Sequence, residues 1–266
     1  MSYYKIVFFS LTAEKIQDTK YFINVFSRTN GKLKLIANGL GKPKSRFTKL
    51  QLPFILAKGM IYNSREQSGF ILTDIDIINT FEYLRSDFVS LNSLSYFAIF
   101  LNYVLAERLK NTAFFDKTLE FIKNNAILNL KTILSYEMLT LDELGYLPKL
   151  ETCQNCKSAV PDGFYMFNFD TEILCKNCAE IIKKNNVEQT KKKTNYFDGE
   201  FIQFYKELQA KKNLKNCCEL DIEKLNNILL KKLENYLNNF IINIHKKCYD
   251  DYITLKKIIR AYKNND

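Results

Sequence analysis

One histidine, His245, stands in 266 residues. Serine–histidine–aspartate catalysis and histidine-based metal hydrolysis both depend on imidazoles, so neither has material to work with. Glycine and proline number 8 and 4, which argues against a low-complexity or collagen-like chain. No apolar run approaches the roughly 18–20 residues that a membrane span requires. The densest stretch, Tyr96 to Leu105, is broken by Asn102 and followed by Glu107 and Arg108. MSYYKIVFFSL at the N-terminus lacks a basic leader, a long apolar core and a small-residue cleavage site, so no secretory signal is expected. Seven cysteines, an odd number, do not suggest a secreted disulfide framework. The expected setting is a reducing compartment, the cytoplasm, with no membrane partner.

What the chain has in excess is positive charge. Its formal net charge is +10 and its pI about 9.1, beside a 47% apolar content that can fill a sizeable core. Such a balance favours polyanionic partners. Between Asn30 and Leu50 six basic residues occur without an acid: Lys32, Lys34, Lys42, Lys44, Arg46 and Lys49. Neutralising phosphates with such side chains releases counterions, which gives sequence-independent affinity that falls with salt. Phe47 and the strand aromatics are candidates for stacking on bases. The bland alternative is a solvated basic edge that blocks strand pairing. GLGKPKS (Gly39–Ser45) is no phosphate-cradling loop, because Gly41-Lys42 is followed by Pro43 rather than Ser or Thr. Acidic pairs such as Asp74/Asp76 are explained as helix caps, and no catalytic set emerges.

Periodicity divides the chain. The first 74 residues read as five short strands, Tyr4–Ser10, Tyr21–Arg28, Lys32–Asn38, Leu50–Ala57 and Gly69–Thr73. Asn30-Gly31 matches a type I′ hairpin turn, in which both central residues take positive φ. Five such strands suit a small closed barrel, a pattern that an SH3-like barrel or small sandwich shares. From Ile75 the period becomes helical. One helix, capped by Thr73 or Asp74, would carry Ile75, Ile78, Phe81 and Leu84, and a second, capped by Ser93, would carry Phe97 to Leu105. Asp116–Asn124 and Ile127–Leu144 follow, the last stopping at Gly145 with Pro148 beyond. Lys183 to Lys193 reads as a linker, and helices are expected over Phe197–Lys212, Ile222–His245 and Tyr252–Tyr262.

CQNCKSAVPDGFYMFNFDTEILCKNC (Cys153–Cys178) pairs two CxxC knuckles across eighteen residues. Zinc binds thiolates tetrahedrally, and Cys153, Cys156, Cys175 and Cys178 fill all four positions, so the metal would be structural rather than catalytic. So small a module would draw much of its folding free energy from the metal. PDGFYMFNFD suits the hairpin of a zinc ribbon. An iron–sulfur cluster is the other four-thiolate occupant, and a thioredoxin-like pair would need a βαβ context. Cys217, Cys218, Cys248 and His245 are expected to be buried or incidental.

The order of these pieces resembles the RecO family of bacterial recombination mediators. The resemblance rests on NGLGKPKSRF (Asn38–Phe47), LQLPF (Leu50–Phe54), LDELGYLPKLETCQNC (Leu141–Cys156) and LCKNC (Leu174–Cys178). It is diffuse over 75–135 and weak after about 185, where the chain is longer and more basic. It implies an α+β multidomain protein with an N-terminal OB-fold β-barrel, a central and C-terminal α-helical domain and an inserted four-cysteine zinc finger. The corresponding segments are 1–76 (barrel), 77–148 (helical domain), 149–182 (zinc finger) and 183–266 (C-terminal helices packing with the helical domain). It further implies a non-enzymatic protein that binds single- and double-stranded DNA and anneals complementary strands. With RecR it would help load RecA onto strands coated by single-strand-binding protein. Lys42, Lys44 and Arg46 fall on the family's basic segment; Lys32, Lys34 and Lys49 are added from charge alone. The competing expectation is a zinc-stabilised interaction scaffold with only secondary nucleic-acid contact.

Overall fold

The computed structural model describes residues 3–64, 69–167, 170–185, 193–210 and 227–263. They fall into two compact units, residues 1–129 with 251–266, and residues 130–250. Among the described residues no helix is long and apolar enough to cross a membrane.

The first unit begins with five strands: β1 (Tyr3–Lys15), β2 (Lys20–Ser27), β3 (Gly31–Asn38), β4 (Leu56–Ser64) and β5 (Gly69–Asn79). They close in the order β1-β2-β3-β5-β4, with β4 returning to β1 and β3 running parallel to β5. This five-stranded closed connectivity is that of an OB-fold barrel. Alternation along each strand sends Ile6, Phe8, Ile23, Val25, Leu33, Leu35, Ala37 and Leu72 into the barrel interior.

Part of the outer face is buried as well. Phe9 packs on Phe54, Phe81 and Phe115, and Phe26 on Phe114 and Phe115. The covering helices are α1 (Glu82–Arg85), α2 (Phe88–Val104) and α3 (Thr112–Asn124). Two-sided burial explains why β1 reads as a continuous apolar run rather than a clean alternation.

Four expectations are corrected here. The helix predicted from Ile75 to Leu84 is mostly the end of β5, which stays paired with β4 as far as Asn79. Ile75 and Ile77 pack on the barrel core while Ile78 is exposed. The β-branched residues pair as a strand, and their spacing over so few positions fits both periods. Leu50–Ala57 is not a strand: Thr48–Gln51 forms a 3₁₀ turn, Phe54 is left-handed (φ 55°), and β4 starts at Leu56. Ser93 does not cap α2. Asp87 does, its carboxylate accepting from Ser90 N at 2.7 Å, whereas Ser93 Oγ donates to Val89 O within the helix. Finally, Asn30 is not left-handed and Gly31 is (φ 67°), so the turn has the single left-handed glycine of a three-residue loop.

The second unit contains α4 (Leu130–Glu143), β6 (Gly163–Phe167), α5 (Lys176–Asn185), β7 (Thr194–Asp198), α6 (Gly199–Ala210) and α7 (Asn227–Ile244). Helix α8 (Lys246–Lys263) begins in this unit and ends in the first. In PDGFYMFNFD, where a hairpin is expected, the described residues form one strand, β6, with a longer-range partner, and Asn168 and Phe169 lie outside the described residues. β6 runs antiparallel to β7, and among the described residues of the cysteine module it bridges to Leu174 through Tyr165. Phe164 stacks on Phe197 at 5.0 Å, and Phe201 and Tyr236 close the buried cluster around them. Phe197 therefore belongs to a strand rather than to the helix expected from it. Asp198 caps α6 by accepting from Phe201 N at 3.0 Å and pairs with Lys232 of α7. Of the expected linker, Lys183–Asn185 are helical and 186–192 lie outside the described residues. Cys217 and Cys218 lie outside them too.

Candidate nucleic-acid interface and metal centre

The barrel distributes the six basic candidates among three environments. Lys32 and Lys34 both point outward from β3, since Leu33 and Leu35 point inward. Lys32 is half-buried: its Nζ donates to Asn102 O at 2.9 Å, and its carbonyl accepts from Arg108 N. Burial pulls its ammonium below the ordinary lysine value, with Glu107 opposing. This side chain fastens β3 to the last turn of α2, and its backbone carbonyl ties β3 to the segment that follows.

Lys34 is exposed, its ammonium 4.0 Å from the centroid of the Phe22 ring. Phe22 pairs with Ile36, and Asn24 with Lys34, on the outward face of β2–β3. On OB barrels the β2–β3 face, with the loops joining β1–β2 and β4–β5, receives oligonucleotides.

The remaining four lie between β3 and β4. Gly39 N and Gly41 N donate to Thr19 O, and Gly41 lies so close to Asp18 O that a Cβ would stand 2.4 Å from it. That contact sets the basic loop beside the β1–β2 turn. Lys42 is exposed, its stem lying near Gly39, and Lys44, also exposed, is left-handed (φ 62°). Lys49 is exposed on the 3₁₀ turn. Arg46 is exposed but engaged: Nη1 donates to Asp74 Oδ1 at 2.5 Å and Nη2 to Thr73 O at 2.7 Å. Phe47 is buried in the barrel core and is therefore not a stacking platform. Phe22 is the aromatic that sequence reasoning did not single out. The outward register of β2, set by inward Ile23 and Val25, was the signal that could have found it.

In the second unit the four cysteine sulfurs lie within 4.8 Å of one another. Cys153 and Cys178 are buried, Cys175 half-buried and Cys156 exposed. The first knuckle is closed by Cys153 N donating to Ser158 O and Lys157 N to Cys153 O, with Lys157 left-handed (φ 62°). Gln154 ties it to the second knuckle, donating from N to Ile173 O and accepting at Oε1 from Ile173 N. Cys175 directly precedes α5, and Cys178 lies in its first turn.

The electrostatics of the thiols differ. The Ser158 hydroxyl, with its amide, brings Cys156 down to about 6. Burial pushes Cys178 up to about 12, and the neighbouring thiols add to it. At Cys153 burial also acts upward, but the amides of Cys156, Cys175 and Asn155 outweigh it and the net shift is down. The donor set fits a tetrahedral metal. Cys156 and Cys175 sulfurs are 3.7 Å apart, and metal–sulfur bonds of about 2.3 Å give a tetrahedron edge of about 3.8 Å. The cluster can coordinate a metal ion and uses all four positions in doing so. His245 is not among these ligands; its Nδ1 accepts from Lys247 N.

Comparison with known proteins agrees with this arrangement. A family model described as "Recombination protein O N terminal" matches residues 1–81, and "Recombination protein O C terminal" matches residues 85–191. The DNA repair protein RecO of Caldanaerobacter subterraneus subsp. tengcongensis is 27% identical over 65% of this chain and 70% of its own length. That of Oceanobacillus iheyensis is 28% identical over 88% of this chain and 83% of its own. The two models adjoin in the expected order, the first ending just past the barrel and the second running through both cysteine knuckles. The chain belongs to the RecO (Recombination protein O) family.

Proposed function

We propose that this chain is a recombination mediator that binds single- and double-stranded DNA and brings complementary strands together without covalent chemistry. Family membership assigns it to DNA repair and recombination in general. The observation that carries the finer reading is the β2–β3 face of the barrel. There an exposed ammonium and an aromatic ring share one spot beside the loop of Lys42 and Lys44. Cations along such a face screen the repulsion between two phosphate backbones, and an aromatic ring holds an unstacked base. Lys34, Lys42, Lys44 and Lys49 are assigned to phosphate contact. Arg46 contributes from its pairing with Asp74, and Lys32 acts by holding the face in place.

Zinc is the metal assigned to Cys153, Cys156, Cys175 and Cys178. It supplies two positive charges that let four thiolates stand together, and it holds the second unit's fold. No group on the chain is assigned a bond-making role. The partners are single-strand-binding protein on coated strands, RecR, and RecA indirectly, in the bacterial cytoplasm at the nucleoid.

The test is annealing of complementary oligonucleotides by the natural chain and by Lys34→Glu/Lys42→Glu/Lys44→Glu. Annealing and single-strand affinity are expected to fall together in the triple variant. Undiminished annealing, with RecR and single-strand-binding protein still retained in high salt, would favour the interaction scaffold instead.

A further inference from the structure

The β6–β7 ribbon of the second unit carries two tyrosines side by side on the face opposite its buried phenylalanines. Tyr165 and Tyr196 are register partners with ring centroids 4.8 Å apart. Their strand neighbours Phe164 and Phe197 are buried and stacked on each other. Tyr196 is 47% exposed and yet held. Its hydroxyl donates to Asp162 O at 2.8 Å. Its ring crosses Gly163, where a Cβ would stand 2.8 Å from Cε2. A ring already fixed in this way loses little further freedom when something stacks on it.

Beside the pair lies a cavity of ≈ 170 Å³ lined by Tyr165, Lys176, Ala179, Glu180, Lys183 and Thr194. Lys176 and Lys183 are exposed and seven residues apart on α5, so they share one helix face. Lys193, exposed, directly precedes β7. Glu180 is the acidic residue of that lining. The combination is a fixed aromatic pair with cations on its flank beside a small, open hollow, which suits stacked bases and phosphates better than a peptide's side chains.

We propose that this ribbon and the adjoining face of α5 form a second binding site for single-stranded nucleic acid, separate from the barrel. Bases stack on Tyr165 and Tyr196, while Lys176, Lys183 and Lys193 take phosphates. The inference rests on the reading of the barrel as a nucleic-acid site and adds the element that annealing requires. One chain then holds two strands, one on each unit, and pairing becomes an encounter between strands already bound.

The chain contains no tryptophan, so Tyr196→Trp installs a single indole reporter in the full-length protein. Oligothymidylate is expected to quench its fluorescence, both in the natural barrel and with Lys34→Glu/Lys42→Glu/Lys44→Glu added. A labelled oligonucleotide whose anisotropy reports binding while the indole is unchanged overturns the second site and leaves the barrel reading standing. No anisotropy change with the natural chain removes both. Two further measurements avoid the ring substitution. Lys176→Glu/Lys183→Glu is expected to slow annealing about tenfold while single-strand affinity changes less than about threefold; an unchanged annealing rate overturns the proposal. Photocrosslinking a bromodeoxyuridine oligonucleotide to the unsubstituted chain is expected to label peptides containing Tyr165 or Tyr196. Crosslinks confined to the barrel overturn it.

Discussion

Lys34 Nζ stands 4.0 Å from the centre of the Phe22 ring, across the β2–β3 pair. The two side chains are diagonal neighbours, a relation the antiparallel register imposes and sequence separation hides. On the reading proposed for this face, one strand's base and its phosphate are received at one spot. Phe22→Ala is then expected to weaken single-strand binding by about 1–3 kcal/mol. Duplex binding should change much less, because paired bases are already stacked on each other. Anisotropy titrations of a single strand and its duplex at one salt concentration make the comparison. An equal loss on both would assign the ring a packing role only.

The six basic candidates should separate in their response to salt. Each phosphate contact on a single strand contributes about 0.7 to the slope of log K against log salt. Lys42→Ala/Lys44→Ala is therefore expected to lower that slope by about 1.4. Arg46→Ala should lower it less, since Asp74 already partners the guanidinium. Lys32→Ala should leave the slope alone and lower the melting temperature, because its Nζ is bonded to Asn102 O. A slope reduced by Lys32→Ala as much as by the loop pair would contradict this division.

The barrel, the helices and the thiol cluster were legible in sequence because each rests on local signals: alternation, helical spacing, CxxC. What escaped depended on partners distant in sequence. The tail of β5 could pass as a helix because Ile75 and Ile78 suit a helical stripe until β4 is known to lie alongside. The partner of β6 was missed because β7 begins twenty-seven residues after Phe167, beyond the second knuckle. The same limit applied to the basic stretch. Charge identified six residues, but Asp74 and Asn102, which engage two of them, come from β5 and α2. Phe47 was read as a stacking ring because it sits among lysines; only the barrel's closure shows that it is core.

Metal removal should act on one unit and spare the other. The thiol cluster belongs to residues 130–250 and the barrel to 1–129. The natural chain is expected to hold one zinc, by elemental analysis, and Cys178→Ser to reduce that content. A strong chelator should abolish the unfolding transition of the second unit, since metal that binds the folded form stabilises it by mass action. Oligonucleotide binding by the barrel should survive. Loss of barrel binding on chelation would instead tie the metal to the whole molecule's stability.

Two glycines with similar backbones should differ in their tolerance of a methyl group. Gly31 and Gly145 have φ of 67° and 77°. A Cβ on Gly145 would meet nothing within 4 Å, whereas one on Gly31 would stand 2.2 Å from Leu109 O. Gly145→Ala should cost about 1 kcal/mol, the usual penalty for a left-handed alanine at a helix end. Gly31→Ala carries the same strain and must also part the turn from the backbone at Leu109, so its loss should be clearly larger. Chemical denaturation of both variants tests this; equal losses would mean the Leu109 segment yields freely.

Asp198 joins β7 to the start of α6 and gives the second unit a dependence on acid. Its hydrogen bond to the Lys232 ammonium, together with the bond from Phe201 N, holds its carboxyl below the ordinary aspartate value, against the smaller effect of burial. A carboxyl depressed in the folded state stabilises it above the unfolded pKa of about 3.9, and that stabilisation is lost as pH falls through the lower folded value. Asp198→Asn keeps an oxygen for the Phe201 cap and removes the charge. The natural chain should therefore be the more stable of the two at neutral pH. The difference should shrink as pH falls below about 4, where the carboxyl protonates. Denaturation midpoints between neutral pH and the onset of acid unfolding measure it. Curves that stay parallel throughout would show that the Lys232 pair contributes nothing beyond the cap.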